Sequence, residues 1–428
     1  MRDVKYICTY CNVFVFDTDE GDKVSGLKPG TTLNDIPESW ECPVCSKPKS
    51  FLEQVSDDVY KQKKKTYDSF YSGEKTGQPN DLTQYRNNAR NMLAGVCAVY
   101  KVCDGNPNNL CMGQKYGKAI GFGGAGQGKT FHANFKALEK YALRPKLVKD
   151  HHEPEMATEI FGKKIKMPVL VSSVSGVKIS MNDIMSEIEF QRRMLQGAKQ
   201  YGTIALSGNT VDDPDHPGVD VTKELGGWGI PIFKPQAQDR LLKLFKRAEE
   251  AGAVAIGVDL DGCGSTNWAL RGKPVYRKGE KDLRELVDVT EKPVIFKGIM
   301  TVEDALKVVD SGAKALDVSN HGGRVLDYGQ GVAEVLPDIV DECKDKIIIM
   351  ADGAVRTGFD VLKLLAIGAD YALMGRNMAR MALSGGADAV KMYLEYVEGD
   401  FRRGMLMTGC DSLKEINRNI LVGPRQLF

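Results

Sequence analysis

From residue 168 to residue 375, eight short apolar runs recur along the chain: 168–173, 202–207, 230–235, 253–259, 293–298, 315–319, 346–351 and 371–375. Their starts differ by 34, 28, 23, 40, 22, 31 and 25 residues. Runs such as AVAIGVD and KIIIMA are continuously apolar rather than alternating. That is the pattern of strands covered on both faces in a parallel sheet. The intervals hold amphipathic stretches, among them 239–251 and 302–311, with apolar residues three and four apart. Regular strand–helix units, eight in number, predict an α/β fold with a closed (β/α)8 barrel. An open doubly wound sheet is the alternative, and the regularity favours closure.

In such a barrel chemistry sits at the C-terminal ends of the strands. Those ends read Ser172 and Ser173, Ser207, Lys234, Asp259 and Asp261, Lys297, the block 319–324, the block 352–356, and Gly375-Arg376. Lysines, arginines and a histidine gathered in a barrel mouth are unfavourable unless an anion binds there. The ends of the last two strands are a frequent phosphate site, and Arg356 and Arg376 beside glycine backbone suit that task. His321, one of five histidines, stands at a strand end next to Gly322-Gly323-Arg324, a place that favours a catalytic role over a hydrogen-bonded scaffold histidine.

The N-terminal stretch obeys different rules. Cys8 and Cys11 form one Cys-x-x-Cys pair, Cys42 and Cys45 another, and thirty residues separate them. Two such loops make a tetrahedral four-sulfur cage suited to iron or zinc, with a spacer longer than the roughly 15–20 residues of a zinc ribbon. Tyr6, Tyr10, Phe14, Phe16, Trp40 and Phe51 offer an aromatic core to a domain too small to fold without a metal. Residues 53–80 then change character: a lysine run at 61–65 and a turn-rich stretch at 72–79 read as a solvated linker or short helix. The expected division is 1–53, a metal-bound head; 54–82, a linker; and 83–428, the barrel with an N-terminal extension.

Two motifs lie between. Cys97, Cys103 and Cys111 can hold an iron–sulfur cluster with one further ligand, or can be three reduced thiols. Residues 123–130 match the phosphate-loop pattern G-x-x-x-x-G-K-[ST]. The preceding 114–122 are too polar and glycine-rich for a central strand, so a glycine turn opening a helix over 131–141 is the expectation.

Composition sets the outer bounds. The 428 residues are 42% hydrophobic and 27% charged, enough to bury a large core and too apolar for wholesale disorder. With 58 Lys+Arg against 57 Asp+Glu, the net charge of +1 argues against nucleic acid or an anionic membrane as partner. No run approaches the ~18 apolar residues of a membrane helix, and the N-terminus lacks the apolar stretch of a signal peptide. A cytoplasmic protein with reduced cysteines is expected.

Over its first 52 or so residues the sequence resembles rubredoxin, through Tyr6-Ile7-Cys8, Pro29-Gly30-Thr31, Ile36-Pro37, Trp40 and Cys42-Pro43-Val44-Cys45. The resemblance implies one iron on four thiolates, moving one electron at a time. Asn12 and Ser46 stand where rubredoxins usually place glycine. From about residue 85 to 415 the chain resembles FMN-dependent 2-hydroxy-acid dehydrogenases and oxidases, carried by Met167-Pro168, Lys297-Gly298, residues 319–324 with Leu326-Asp327, residues 352–356, and Gly375-Arg376.

The second resemblance implies His321 as base, Arg324 as clamp on the substrate carboxylate, and Asp261 as the carboxylate orienting the base. It implies Lys297 beside the flavin, and Ser172, Ser173, Ser207, Lys234, Ser319, Asp352, Gly353, Arg356, Gly375 and Arg376 as further cofactor residues. It also implies a homo-oligomer, tetramer or octamer. The substrate half departs from the family. Its N-terminal tyrosine falls at Ile120, its strand-three Gln-x-Tyr reads Phe233-Lys234-Pro235, and its flap arginine falls near Trp268, with Arg271 and Lys273 the nearest substitutes. Asp259 replaces a threonine. An altered or larger acid, hydroxy or amino, is therefore expected.

The expected activity is hydride transfer between such an acid and FMN, with single electrons exchanged with the iron head and a redox partner protein rather than with oxygen. The alternatives are a reductase fed by the head, and a non-redox flavin isomerase resembling type 2 isopentenyl diphosphate isomerase, which would turn over without an electron acceptor.

Overall fold

The structure is a computed structural model that describes residues 4–9, 14–43, 47–71, 82–93, 123–213 and 215–424. The chain divides into two compact units, residues 1–84 and 85–428.

In the first unit, β1 (Lys5–Cys8) lies between β2 (Val15–Asp17) and β3 (Leu52–Val55) in an antiparallel sheet. Register is Ile7 opposite Val15 on one side and Glu53 on the other. The core is largely aromatic. Phe14 lies 5.5 Å from Trp40 and meets Tyr67 edge-on at 5.2 Å. Tyr67 belongs to α1 (Asp57–Tyr71), in the stretch expected as a linker or short helix. Tyr60 and Tyr67 of this helix are buried in the core, and the Tyr67 hydroxyl donates to Asp22 at 2.8 Å. The sequence supplies the reason: the two tyrosines are seven residues apart, two helical turns, and so share one face.

The second unit is the barrel. α2 (Leu82–Met92) crosses the boundary between the units, and α3 (Lys129–Glu139) precedes the barrel. The short strand β4 (Ala142–Leu143) pairs with the last strand, β15 (Leu421–Val422), and β5 (Thr158–Ile160) pairs with β6 (Lys163–Ile165). Eight parallel strands then close on themselves: β7 (Val169–Val174), β8 (Ala205–Gly208), β9 (Ile230–Phe233), β10 (Ile256–Asp259), β11 (Val294–Ile299), β12 (Ala315–Val318), β13 (Ile348–Ala351) and β14 (Tyr371–Met374). Every apolar run of the sequence contributes one.

Helices fill the intervals: α4 (Val177–Ser180) and α5 (Glu187–Tyr201), α6 (Pro217–Glu224), α7 (Gln238–Glu250), α8 (Thr266–Ala269) and α9 (Glu280–Asp288), α10 (Val302–Asp310), α11 (Val332–Cys343), α12 (Gly358–Ile367), and the long α13 (Arg376–Thr408). The helix starts are capped as their sequences allow, with Thr301 and Thr357 accepting from the backbone three residues on.

Ile160 and Ile165 of the β5–β6 pair belong to one buried cluster with Leu170, Leu206, Ile232 and Leu373 of the barrel strands. Each such side chain, fully buried, contributes about 1.5–3 kcal/mol. The end that opens into a pocket is the one where the strands finish. Among the described residues no helix is long and apolar enough to cross a membrane.

Candidate active site

A pocket opens at the C-terminal ends of the strands. Its wall includes Ser172 and Ser173 of β7, Lys234 just after β9, Asp259 at the end of β10, Lys297 within β11, and the loop residues His321 and Arg324 after β12. The wall also includes Asp352, Gly353 and Arg356 after β13, and Gly375 and Arg376 after β14. Ser207, Ser319 and Asp261 are not in the wall. Ser207 and Ser319 are fully buried behind it.

His321 sits on a tight turn with φ of 58°, followed by Gly322 at 60°. The left-handed φ of Gly322 favours glycine there, and a Cβ would in addition lie 2.4 Å from the Arg376 guanidinium. The turn is pinned from α3: Asn134 and Asn320 exchange amide hydrogen bonds at 2.8 Å in both directions, and Ala125 N donates to Gly323 O.

The imidazole is held by acids. Nδ1 lies 3.1 Å from Asp261 Oδ1 and 3.3 Å from Asp259 Oδ2. Nε2 lies 3.4 Å from Lys234 Nζ, which pairs with Asp259 Oδ2 at 2.5 Å. Gly298, at φ of 93°, lets Asp261 approach: a Cβ there would sit 2.7 Å from its carboxyl carbon. Burial opposes a charge on His321 more than any single neighbour favours it, but the Asp259 anion, the Asp261 carboxylate and the hydrogen bond to Asp259 together outweigh burial and Lys234 and raise the imidazole above its ordinary value. Burial likewise opposes ionisation of Asp259, yet His321 and Lys234 hold it well below the usual carboxylate range. Burial and the Asp259 charge push Asp261 up to about 6.

Lys297 lies deeper, in contact with three oxygens: Asp317 Oδ2 and Asp352 Oδ2 at 2.7 Å, and Ser319 Oγ at 2.5 Å. An ammonium has three N–H donors, and these contacts match them one for one. Burial opposes its charge and the two carboxylates more than restore it, so its pKa is raised. Asp317, fully buried, is pushed up to about 7 by burial, against the pull of Lys297.

Residues 123–130 turn their backbone donors inward. The Asp327 carboxylate accepts from Gln127 N at 2.5 Å and Lys129 N at 2.7 Å, at the start of α3. The phosphate-loop pattern is thus occupied by the chain's own acid.

Compared with known proteins, residues 120–278 and 273–423 match the sequence model of the FMN-dependent dehydrogenases. The chain belongs to the FMN-dependent dehydrogenase family. Residues 5–51 match the rubredoxin model, so the FMN enzyme carries a rubredoxin domain, and with it iron, ahead of its barrel. Glycolate oxidase of Spinacia oleracea is 30% identical over 330 residues, covering 68% of this chain and 86% of that protein. The peroxisomal (S)-2-hydroxyacid oxidase GLO3 of Arabidopsis thaliana is 28% identical, covering 69% and 89%. The crystal structure of mandelate oxidase with (S)-2-phenylpropionate superposes with a TM-score of 0.63 at 25% identity, covering 81% of this chain and 98% of that one.

The residues present fit FMN. Asp352 Oδ1 and Asn209 Nδ2 are buried polar atoms in wall residues with no partner among the described residues. Arg356 and Arg376 stack on Phe135 and Phe131 at 4.6 and 4.9 Å, which holds two guanidinium groups beside Gly353 and Gly375. In the rubredoxin domain, Cys8 and Cys42 are buried. Cys11, Cys45, Asn12 and Ser46 lie outside the described residues, as do Ile120 and the candidate cluster ligands Cys97, Cys103 and Cys111.

Arg271 and Lys273, the nearest substitutes for the flap arginine, do not line the pocket, and Arg271 points to Asp212 at 3.6 Å. Trp268 lines it instead, with Ile179, Met181, Val211 and Val325. Two acids emerge that the strand-end reading gave no role. Asp259 ends β10 and contacts both His321 and Lys234. Asp317 interrupts an apolar strand, a sequence signal that an interior partner awaits it.

Proposed function

We propose that this FMN enzyme oxidises a 2-hydroxy acid to the 2-oxo acid and passes the electrons singly to its rubredoxin iron. The observation that carries the reading is His321, fixed through Nδ1 by Asp259 and Asp261 in the same pocket wall as Arg324. Relatives named as a (S)-2-hydroxyacid oxidase, a glycolate oxidase and an L-lactate dehydrogenase support the substrate class. The apolar wall of Trp268, Met181 and Val211 favours an acid with a sizeable apolar body.

Bound FMN supplies the hydride acceptor, and iron on Cys8, Cys11, Cys42 and Cys45 a one-electron outlet. Arg324 pairs with the substrate carboxylate. His321 Nε2 takes the hydroxyl proton while the C–H bond gives up hydride and C–O becomes C=O. Asp259 and Asp261 stabilise the imidazolium that forms. Ser172, Ser173, Asp352 and Gly353 would hold the ring and ribityl chain, Lys297 would set its positive charge beside them, and Arg356, Gly375 and Arg376 would hold the phosphate end. Ser207 and Ser319 support this shell from behind. Fusion to a one-electron carrier favours a protein acceptor over oxygen.

Anaerobic titration of the purified protein with lactate, 2-hydroxyoctanoate and mandelate tests this. The oxidised flavin absorption should bleach with at least one acid, followed by loss of the ferric–thiolate bands. Flavin that none of them reduces, or an iron centre that stays ferric beside reduced flavin, would refute the proposal.

A further inference from the structure

Lys234 is a buried cation where an uncharged side chain would cost less to bury. It is 9% exposed, and its stem passes Gly262, where a Cβ would lie 2.8 Å from Lys234 Cδ. Asp259 neutralises it at 2.5 Å, yet its ammonium also stands 3.4 Å from His321 Nε2, on the side of the ring away from Nδ1. Two nitrogens at that separation leave a position within ordinary hydrogen-bond reach of both. An oxygen placed there accepts from Lys234 and donates to Nε2.

We propose that Lys234 is a catalytic residue that receives the reacting oxygen of the substrate jointly with His321, and that it restricts the enzyme to 2-hydroxy acids against 2-amino acids. The inference rests on the oxidation proposed above and names the substrate class of that site. A hydroxyl satisfies both nitrogens. A protonated amine has no lone pair for the lysine and sets a second cation against it, with the positive field of Arg324 in the same wall. In the step itself the hydroxyl proton moves to Nε2, the C–H electron pair leaves with hydrogen as hydride to bound FMN, and an oxygen lone pair becomes the new π bond. Lys234 keeps its proton and donates a hydrogen bond to the oxygen as negative charge builds on it. Such a donor, fixed in a site screened from water, acts most strongly when that charge is greatest.

The test uses the flavin- and iron-loaded full chain, with mandelate and phenylglycine as the hydroxy/amino pair and oxalate as a probe that sets an anionic oxygen beside a carboxylate. Mandelate should bleach the flavin and phenylglycine should not. In Lys234→Gln the limiting bleaching rate should fall about 10²-fold. Oxalate binding, read from the flavin spectrum, should weaken about tenfold or more. Lys234→Arg, which keeps the cation, should retain most of the oxalate affinity. Phenylglycine oxidised by the parent as fast as mandelate would overturn the proposal, as would unchanged oxalate affinity and rate in Lys234→Gln. If none of the acids bleaches the parent, the oxidation reading fails by itself. Oxalate binding still decides the lysine, and equal affinity in parent and Lys234→Gln goes against it.

Discussion

His321 can accept a proton only while it is neutral, and its surroundings work against that. Asp259 is held as an anion beside it, and the imidazole pKa is raised above the ordinary 6.5 in spite of burial. The sign follows directly: as pH rises through the elevated pKa, the neutral base accumulates and kcat/KM for hydroxy-acid oxidation rises. The acid limb should therefore lie above pH 6.5. Asp259→Asn removes the nearest negative charge and should move the limb to lower pH. Lys234→Gln removes a cation and should move it higher. Rates of anaerobic flavin reduction across pH check both shifts, and a limb that stays in place in Asp259→Asn would count against this account. The strand-end rule placed Lys234, Asp259, Lys297 and His321 on one rim from the sequence alone. It could not decide which acid meets the imidazole. Asp259 and Asp261 stand two residues apart on a tight turn and both reach Nδ1. Nor could it show that Lys297 spends its donors on Asp317, because that pairing needs β11 and β12 laid side by side in register.

The turn that carries His321 owes its shape to a second element. Asp327, three residues beyond Arg324, collects the amides at the start of α3 and thereby ties the His321–Arg324 loop to that helix. Asp327→Ala leaves those amides to water and should cost about 1 kcal/mol of stability. It should slow flavin reduction more than it lowers FMN content, since it loosens the base and the carboxylate clamp rather than the phosphate end. Thermal melting and single-turnover reduction measure the two effects, with Asp327→Asn, which retains one acceptor, expected to fall between. A variant with normal rates would show that α3 does not set the turn. In the sequence, residues 123–130 read as a glycine turn opening a helix, and nothing there showed that its amides would meet a carboxylate some 200 residues away. The apolar runs located every barrel strand, and their first residues were the least legible part. At 202–204 and 253–255 the buried residues belong to the turn entering β8 and β10, because core-facing turns and strands share the same apolar composition.

At the scale of the whole molecule, a two-electron centre and a one-electron centre share one chain. Where that chain is divided decides what an experiment on it can mean. The cysteine pairs end at Cys45 and the sequence likeness near residue 52, yet the aromatic core of the first unit extends to Tyr67 of α1. Deleting residues 1–55 would leave Tyr60 and Tyr67 without the core they fill and confound loss of electron transfer with aggregation. Deleting residues 1–71 removes the unit with its helix. The shortened enzyme should bind FMN and be bleached by its acid at the rate of the full chain, because among the described residues every one that lines the pocket lies at or beyond Phe131. It should lose reduction of a one-electron acceptor protein such as cytochrome c. Cys42→Ser in the full-length chain provides the matched control: it should lose iron and cytochrome reduction together while the flavin still bleaches. If the shortened protein reduced cytochrome c at the full rate, electrons would leave from the flavin directly and the fused iron would lie off the path.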